Sequence, residues 1–328
     1  MSAAFVPGGQ GIAARLGAFV AANDVYFILL LIGAIAALAS PVFLTPDNIS
    51  NLLTQSALLG ILSIGQFLVV VSGGFDLSVA AVMALSSVVL AKTAGFGLLP
   101  AGLLAVAVGV GCGLFNGVAI TIGRVQPLIA TLAMMGIARG LAFSISERSI
   151  LVHDPILDVL RGVNGFLSLP TIIWLAAVVV AAIWFRATRA SMHVYAVGGN
   201  EQTARLAGVA VNAVKLGVYA VSGLLSGIAG VVLVIRSSSG VPLGGAGWEL
   251  DSIASIVIGG TNLFGGEGRV LHAMAGVLIY QLIANIMNLA GVDPFYQNIL
   301  RAAVIICAVG LSILRQRAAG RRTVLGRA

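Results

Sequence analysis

Side chains capable of catalysis are few in this 328-residue chain, and they are not grouped. The histidines His153, His193 and His272 lie far apart, without the spacing of metal ligands. Neither lysine, Lys92 or Lys215, follows the G-x-x-x-x-G pattern of a phosphate-binding loop. No serine or cysteine occupies a nucleophile elbow with a nearby base. We therefore expect a protein that is not an enzyme and has no catalytic residues, metal or cofactor.

The first segment with functional potential is Val-Ser-Gly-Gly-Phe-Asp-Leu-Ser at residues 71–78, here named the first break. Gly73 and Gly74 release helical geometry, and Asp76 with Ser78 can cap the helix that restarts after them. A tight capped turn explains these residue types. A broken helix that lines a transport cavity explains them equally well, because irregular backbone is tolerated there.

A similar string, Val-Ile-Gly-Gly-Thr-Asn-Leu, recurs at residues 257–263 and is named the second break. Gly259 and Gly260 align with the glycine pair of the first break, and Asn262 falls where Asp76 does. Paired helix breaks in two halves of a chain are frequent in transporters. The pattern indicates two parallel repeats.

The second candidate is a polar segment at residues 196–211. Asn200 suits a helix N-cap, Glu201 suits the first turn, and Gly208 suits the end, where a left-handed glycine is common. Glu201 and Arg205 are spaced to support the helix as an i, i+4 pair. Two turns are too short to be stable alone in water, so this helix needs a partner surface. The alternative is an ordinary loop helix that lies on its own membrane domain.

Small side chains give the same helix a narrow face. Ala204 and Ala207 would allow it to enter a groove, and Leu206 offers an apolar contact on another side.

Polar side chains within apolar runs form the third candidate. Asn116 is isolated, whereas Gln281, Asn285 and Asn288 follow i, i+4, i+7 spacing and share one helix face. Such a face either bonds one helix to another or forms the wall of a polar pathway.

Two arginines, Arg139 and Arg301, also lie within apolar runs. Because an unpaired charge in lipid is costly, we expect at least one ion pair with the acids predicted near the same side, which are Glu249, Asp251 and Asp293.

Composition identifies the elements that must position these residues. Hydrophobic residues make up 59% of the chain and charged residues only 9%, against about 25% charged in a soluble domain. The 42 glycines suit helices that pack closely in lipid. The net charge of +7 is better explained by positive cytoplasmic loops than by nucleic acid, which we do not expect as a partner. We predict an all-α integral membrane protein.

Apolar runs predict about ten membrane segments. The runs at 77–92 and 250–260 are short for roughly 30 Å of hydrocarbon and suggest broken or half-helices. The predicted segments are 25–40, 51–71, 77–92, 97–122, 126–146, 171–185, 212–235, 250–260, 270–290 and 296–315.

Most of the 18 basic residues fall on one side if both termini are cytoplasmic, which predicts an N-in, C-in topology. The chain then divides into a cytoplasmic tail at 1–24, a transmembrane domain at 25–315 and a basic cytoplasmic tail at 316–328.

Several strings, in order, give the chain a specific resemblance from about residue 50 to 312. It resembles the membrane permease subunits of bacterial ABC importers for monosaccharides, the ribose, xylose, arabinose and galactoside type. The strings lie at 73–79 (GGFDLSV), 116–117, 126–132 (QPLIATL), 139–141, 195–208, 247–254 (GWELDSIA) and 258–266 (IGGTNLFGG).

The resemblance implies an inner-membrane subunit that imports a sugar by alternating access. Its partners would be a cytoplasmic ABC ATPase, a periplasmic sugar-binding protein and a second permease copy, identical or different, with lipid around them. Residues 200–208 lie where this family has the coupling helix that docks on the ATPase. Phe75 departs from the family pattern, in which an isoleucine is common.

Two other functions stay open. Permeases for amino acids or a quorum signal share much of this pattern. A proton-coupled secondary transporter would need a buried carboxylate relay, for which Asp76 is the sole acidic candidate within the apolar strings.

Overall fold

The computed structural model describes residues 23–162, 167–293, 295–300, 302–303, 306 and 310. This part of the chain is mostly helical. The helices are α1 (Asp24–Ala39), α2 (Pro46–Val71), α3 (Val79–Thr93), α4 (Leu98–Thr121), α5 (Pro127–Ile145), α6 (Ile156–Arg161), α7 (Leu169–Ala187), α8 (Arg189–Gly199), α9 (Glu201–Leu206), α10 (Val211–Ser237), α11 (Trp248–Ile258) and α12 (Val270–Leu289). Two short strands, β1 (Ile150–Leu151) and β2 (Ser239–Gly240), pair antiparallel with Ile150 opposite Gly240.

Helix starts follow ordinary capping rules. Thr45 accepts a hydrogen bond from the backbone N–H of Asn48 at the start of α2, and Ser168 and Thr188 cap α7 and α8 in the same way. Proline at the first or second position of α2, α5 and α7 costs no hydrogen bond, because those N–H groups have no partner within the helix.

Seven helices in the described ranges are long and apolar enough to cross a membrane, which confirms an all-α membrane protein. Helix α11 has 11 residues and is short, as the run at 250–260 predicts. The prediction for 77–92 is wrong, because a 3₁₀ turn at Ala94–Phe96 extends α3 to an 18-residue span. The run at 296–315 lies mostly outside the described residues, and the count of ten stays a prediction.

Helix α2 is the central element, since every residue from 56 to 71 is buried. It packs against α7, α10, α11 and α12. Glycines allow the closest contacts elsewhere in the bundle. A Cβ on Gly109 of α4 would lie 2.4 Å from the carbonyl oxygen of Gly223 of α10, and one on Gly276 of α12 would lie 2.1 Å from that of Ser255 of α11. Such backbone approach fits the small-residue packing expected in lipid.

Candidate translocation and coupling site

Asp76 is the centre of a buried polar network at the first break, with only 2% of its surface exposed. Its Oδ1 accepts hydrogen bonds from the backbone N–H of Ser78 at 2.9 Å and from Ser78 Oγ at 2.6 Å. Its Oδ2 accepts from Ser222 Oγ of α10 at 2.7 Å. Asn116 of α4 donates to Ser78 Oγ at 3.0 Å. The network therefore joins the first break to α4 and α10.

The sequence singled out Asp76 with Ser78 and, separately, Asn116, and the structure brings all three together. Ser222 was missed, because serine within an apolar helix commonly bonds its own backbone. Ser78 occupies the N-cap position of α3, but its side chain bonds no helix N–H. The predicted side-chain capping by Ser78 is therefore wrong, and its hydroxyl serves the Asp76 network instead.

Among the described residues, no basic side chain forms an ion pair with Asp76. Within the described part of the chain, the ion pairs are Arg161–Asp158, Arg205–Glu201 and Lys215–Glu201. Burial raises the pKa of the Asp76 carboxyl above its ordinary value, although the bonds from Ser78 and Ser222 oppose this shift. The carboxyl therefore takes up a proton more readily than an exposed aspartate.

One face of α10 touches both the first break and α9. Lys215, Tyr219 and Ser222 follow i, i+4, i+7 spacing and so share a face. Tyr219 donates its hydroxyl to the carbonyl oxygen of Phe75 at 3.1 Å, next to the Ser222 contact. One turn earlier, Lys215 Nζ lies 2.5 Å from Glu201 Oε2 of α9.

Helix α9 forms as the sequence predicts. Asn200 Oδ1 accepts from the backbone N–H of Thr203 at 2.8 Å, and Gly208 ends the segment with φ of +83°. Glu201 and Arg205 pair at 3.1 Å. The hydrogen bond from Lys215 is the main reason that the pKa of Glu201 lies below its ordinary value.

The predicted narrow face of α9 is wrong in one respect. Ala204 is buried with Val197 and Val211 inside the protein, so its side chain is not available to a partner. Ala207 is exposed, and Leu206 exposes 84% of its surface. The outward apolar contact of α9 is therefore Leu206.

The amides of α12 make interhelical contacts. Asn285 and Asn48 of α2 exchange two amide hydrogen bonds, at 2.8 and 3.2 Å, and both residues are buried. Asn288 accepts from Gln297 at 2.9 Å, whereas Gln281 is half-buried. These contacts favour the helix-bonding interpretation for Asn285 and Asn288.

Two further polar residues, Ser63 and Gln66, face the interior from α2 and were missed. Both are fully buried, and neither Ser63 Oγ nor the amide Nε2 and Oε1 of Gln66 has a hydrogen-bond partner among the described residues. A polar residue in the apolar run 51–71 was the available signal. Buried groups without partners cost about 1–3 kcal/mol, which suggests that water or a polar solute contacts them in another state.

Arg139 makes its hydrogen bonds with backbone carbonyl groups. It donates to the carbonyl oxygens of Pro242 at 2.6 Å and Gly244 at 3.3 Å, and it is not among the ion pairs of the described residues. The expectation of at least one ion pair between the two arginines and the nearby acids therefore stays a prediction. Arg301 lies outside the described residues.

The second break repeats the backbone geometry of the first, but one residue out of register with the sequence alignment. Gly73 has φ of +83° and the equivalent left-handed residue is Gly260, with φ of +84°, not Gly259. Asn262 therefore does not occupy the position of Asp76. Its Oδ1 accepts from the backbone N–H of Phe264 at 2.9 Å.

Comparison with known proteins gives a consistent family. A family model described as "Branched-chain amino acid transport system / permease component" matches residues 48–309. The ribose import permease protein RbsC of Escherichia coli (strain K12) is 39% identical over 289 residues, covering 86% of this chain and 90% of that protein. The L-arabinose transport system permease protein AraH of the same organism is 38% identical over 307 residues and 92% of each chain. The D-allose transport system permease protein AlsC is 35% identical over 295 residues, covering 88% of this chain and 90% of that protein. No solved structure matches the chain.

Proposed function

The chain belongs to this family of transport-system permease components, and we propose that it is the membrane subunit of an ABC importer for a monosaccharide. One observation carries the proposal. Relatives named as ribose, arabinose and allose permeases match over most of both chains at 35–39% identity. The subunit is a multi-pass inner-membrane protein and not an enzyme. ATP hydrolysis takes place in a partner subunit.

The proposed topology has ten membrane segments with both termini in the cytoplasm, a permease domain at 25–315 and tails at 1–24 and 316–328. The distribution of charge supports it. Arg124, Arg205 and Lys215 line one cavity with Glu201, so these cations share one end of the bundle. That end is the cytoplasmic one by the positive-inside rule. Helix α10 runs from it for 27 residues to the β-strand pair at the other end.

The partners of this subunit are an ABC ATPase, a periplasmic sugar-binding protein and a second permease copy. Helix α9, with Leu206 outward and Asn200, Glu201, Arg205, Ala207 and Gly208 around it, docks on the ATPase. Docking accounts for an exposed leucine on a two-turn helix at the cytoplasmic end. ATP binding moves α9, and the membrane helices then alternate between outward and inward access.

Solute passes polar groups of the bundle interior. Ser63 and Gln66 offer unpaired hydrogen-bonding atoms, as a polyhydroxylated neutral solute requires. The glycines Gly73, Gly74, Gly259 and Gly260 end helices at the cytoplasmic side, and the Asp76 network supports the first of these ends. Weak contacts suit a pathway because the solute must leave it; selectivity then comes largely from the binding protein.

A proton-coupled transporter is the alternative, with Asp76 as the proton carrier. Its raised pKa is the observation in favour. Its hydrogen-bond partners among the described residues are serines, and none of these bonds leads to a second titratable group.

Reconstitution tests the function. The permease is placed in liposomes with its ABC ATPase and sugar-binding protein, and uptake of radiolabelled ribose, arabinose, allose and xylose is measured. We expect uptake of one sugar that requires both ATP and the loaded binding protein. Uptake driven by a proton gradient without ATP would establish the alternative instead.

Docking is tested separately with Leu206→Asp. A charge at this apolar contact should abolish co-purification of the ATPase. Leu151→Asp is the matched control, because Leu151 is similarly exposed, at 64%, but lies in β1 at the opposite end. Equal retention of the ATPase by both variants would contradict the docking assignment.

A further inference from the structure

Three backbone segments meet without side chains between them at the cytoplasmic end. The backbone N–H of Gly266 donates to the carbonyl oxygen of Val71 at 2.9 Å. Gly198 lies against the same pair. A Cβ on Gly198 would lie 1.8 Å from the Val71 oxygen and 2.7 Å from the Gly266 nitrogen. We call this contact of Val71, Gly198 and Gly266 the glycine junction.

Neighbouring glycines extend the contact. Gly73 and Gly265 have φ of +83° and +90°, and a Cβ on Gly265 would lie 2.9 Å from the Cα of Gly73. Both positions favour glycine for their left-handed backbone, and Gly265 requires it for space as well. The sequence shows the glycine pairs, but the pairs alone do not reveal that they touch.

The junction joins the elements that transport must coordinate. Val71 is the last residue of α2 and leads into the first break. Gly266 lies in the loop between the second break and α12. Gly198 lies in the last turn of α8, two residues before the N-cap of α9. One turn earlier on α8, Tyr195 donates its hydroxyl to the carbonyl oxygen of Gly268 at 2.8 Å, which is a second link to the same loop.

We propose that Gly198 and Tyr195 are positioning residues that transmit the movement of α9 to both helix breaks at once. The inference rests on the proposed function, in which α9 docks on the ATPase. A contact between backbones cannot absorb a displacement by a change of rotamer, as long side chains do. Close-packed contacts of this kind shift between discrete arrangements and therefore pass movement on.

The decisive test compares two adjacent glycines. In Gly198→Ala the new methyl group must displace Val71 or Gly266. In Gly199→Ala the methyl group meets no atom within 4 Å. Both glycines lie in the same helical turn, and neither has a positive φ, so the intrinsic helix effect of alanine is the same.

The measured quantity is sugar imported per ATP hydrolysed by the complete complex in liposomes. We expect Gly198→Ala to keep ATPase co-purification and basal hydrolysis, because the surface of α9 is unchanged. The sugar imported per ATP should fall about tenfold. Gly199→Ala should match wild type. A folded Gly198→Ala variant with a normal ratio, or equal impairment of both variants, would overturn the proposal.

Tyr195→Phe covers the case in which Gly198→Ala does not fold, since it removes only a hydroxyl. We expect a melting temperature close to wild type and a ratio reduced about threefold, less than in Gly198→Ala because one of two links remains. If Gly198→Ala does not fold and Tyr195→Phe has a normal ratio, the inference is wrong.

A measurement without sugar tests the glycine junction independently of the proposal that the transported solute is a monosaccharide. Hydrogen exchange of residues 262–268 is followed in the complex with and without a non-hydrolysable ATP analogue. The nucleotide should alter exchange at the Gly266 amide in wild type and Gly199→Ala, but not in Gly198→Ala. If the exchange response is as expected but no sugar is taken up, the monosaccharide assignment is wrong and the role of the glycine junction stands. If sugar is taken up but the exchange response is the same in Gly198→Ala as in wild type, the role of the glycine junction is wrong and the monosaccharide assignment stands.

Discussion

The two helix breaks have the same backbone conformation but differ in the hydrogen bonds of their polar side chains. At the first, the N–H of Gly74 bonds the carbonyl of Val69; at the second, the N–H of Thr261 bonds that of Ile256. In both cases a left-handed glycine precedes the bonded residue. The first break then buries Asp76 among side chains of other helices, whereas Asn262 of the second bonds the backbone two residues ahead.

This difference shows that a helix-ending motif and a polar site are separable. The glycine pair ends each helix through local backbone geometry alone. The polar network of the first break depends on Ser222 and Asn116, which lie more than 35 residues away in the chain. The side-chain network of the first break is therefore tertiary, and the bond from the Phe264 N–H to Asn262 Oδ1 lies within one loop.

The largest expected effect is that of Asp76→Ala at the first break. It removes the acceptor of the Ser78 N–H and of two buried hydroxyls, and should destabilise the protein by roughly 2–4 kcal/mol. Asp76→Asn keeps one acceptor and the shape, and should recover most of this loss. Thermal unfolding of the purified protein measures both. An equal loss in the two variants would show that charge, not hydrogen bonding, matters at this site.

A comparison of wild type with Asp76→Asn gives a pH prediction. Because burial raises the folded-state pKa of Asp76 above the ordinary 3.8, its contribution to stability is complete below that value. The contribution is lost as the pH rises through the raised pKa. As the pH rises from 3.8 through the raised pKa, the melting temperature of wild type should therefore decrease. The melting temperature of Asp76→Asn should not show this decrease. Parallel pH profiles of the two proteins would contradict the shift.

Local signals explain which features were predictable from sequence. The Asn200 cap and the left-handed Gly208 are encoded within nine residues, and both are confirmed. Apolar runs predicted the helices within a few residues. Three features could not be predicted because they depend on how distant helices pack, which local sequence patterns do not specify. They are the hydrogen-bond partners of Asp76, the burial of Ala204 and the glycine junction.

The next effect tests packing at the second break. In Gly259→Ala the Cβ would lie 2.3 Å from the carbonyl oxygen of His272, so α11 and α12 must separate at a cost of about 1–3 kcal/mol. In Gly74→Ala the nearest atom is the hydroxyl of Tyr219 at 2.5 Å, the end of a side chain that can shift. Unfolding should show the larger loss for Gly259→Ala. A larger loss for Gly74→Ala would mean that the first break is the more rigid of the two.

A smaller effect concerns the amides of α12, which leaves the second break. Asn285 is roughly 22 Å along the helix from its start at Val270, so this polar face is remote from the break. Asn285→Leu should cost roughly 0.6–2 kcal/mol, and the double variant with Asn48→Leu should cost less than the sum of the two single changes. Uptake should be normal in the double variant. Lost uptake with retained stability would place these amides in the pathway instead.

The smallest effect is expected for two tyrosines, each of which donates a hydrogen bond to a loop carbonyl group near one of the breaks. Tyr219→Phe removes the hydroxyl that bonds the carbonyl of Phe75, but Thr131 Oγ1 also lies 3.4 Å from that oxygen and can compensate. We expect a loss of about 0.5–1.5 kcal/mol and little change in uptake per ATP. Tyr195→Phe should reverse this order. Its stability should be nearly unchanged because Tyr195 is only half-buried, whereas Tyr219 is buried. Its uptake per ATP should be reduced because its hydroxyl bonds the loop joined at the glycine junction. If both variants altered stability and uptake in the same proportion, the two tyrosines would have the same role. The difference between the two breaks would then not include a difference in coupling to ATP hydrolysis.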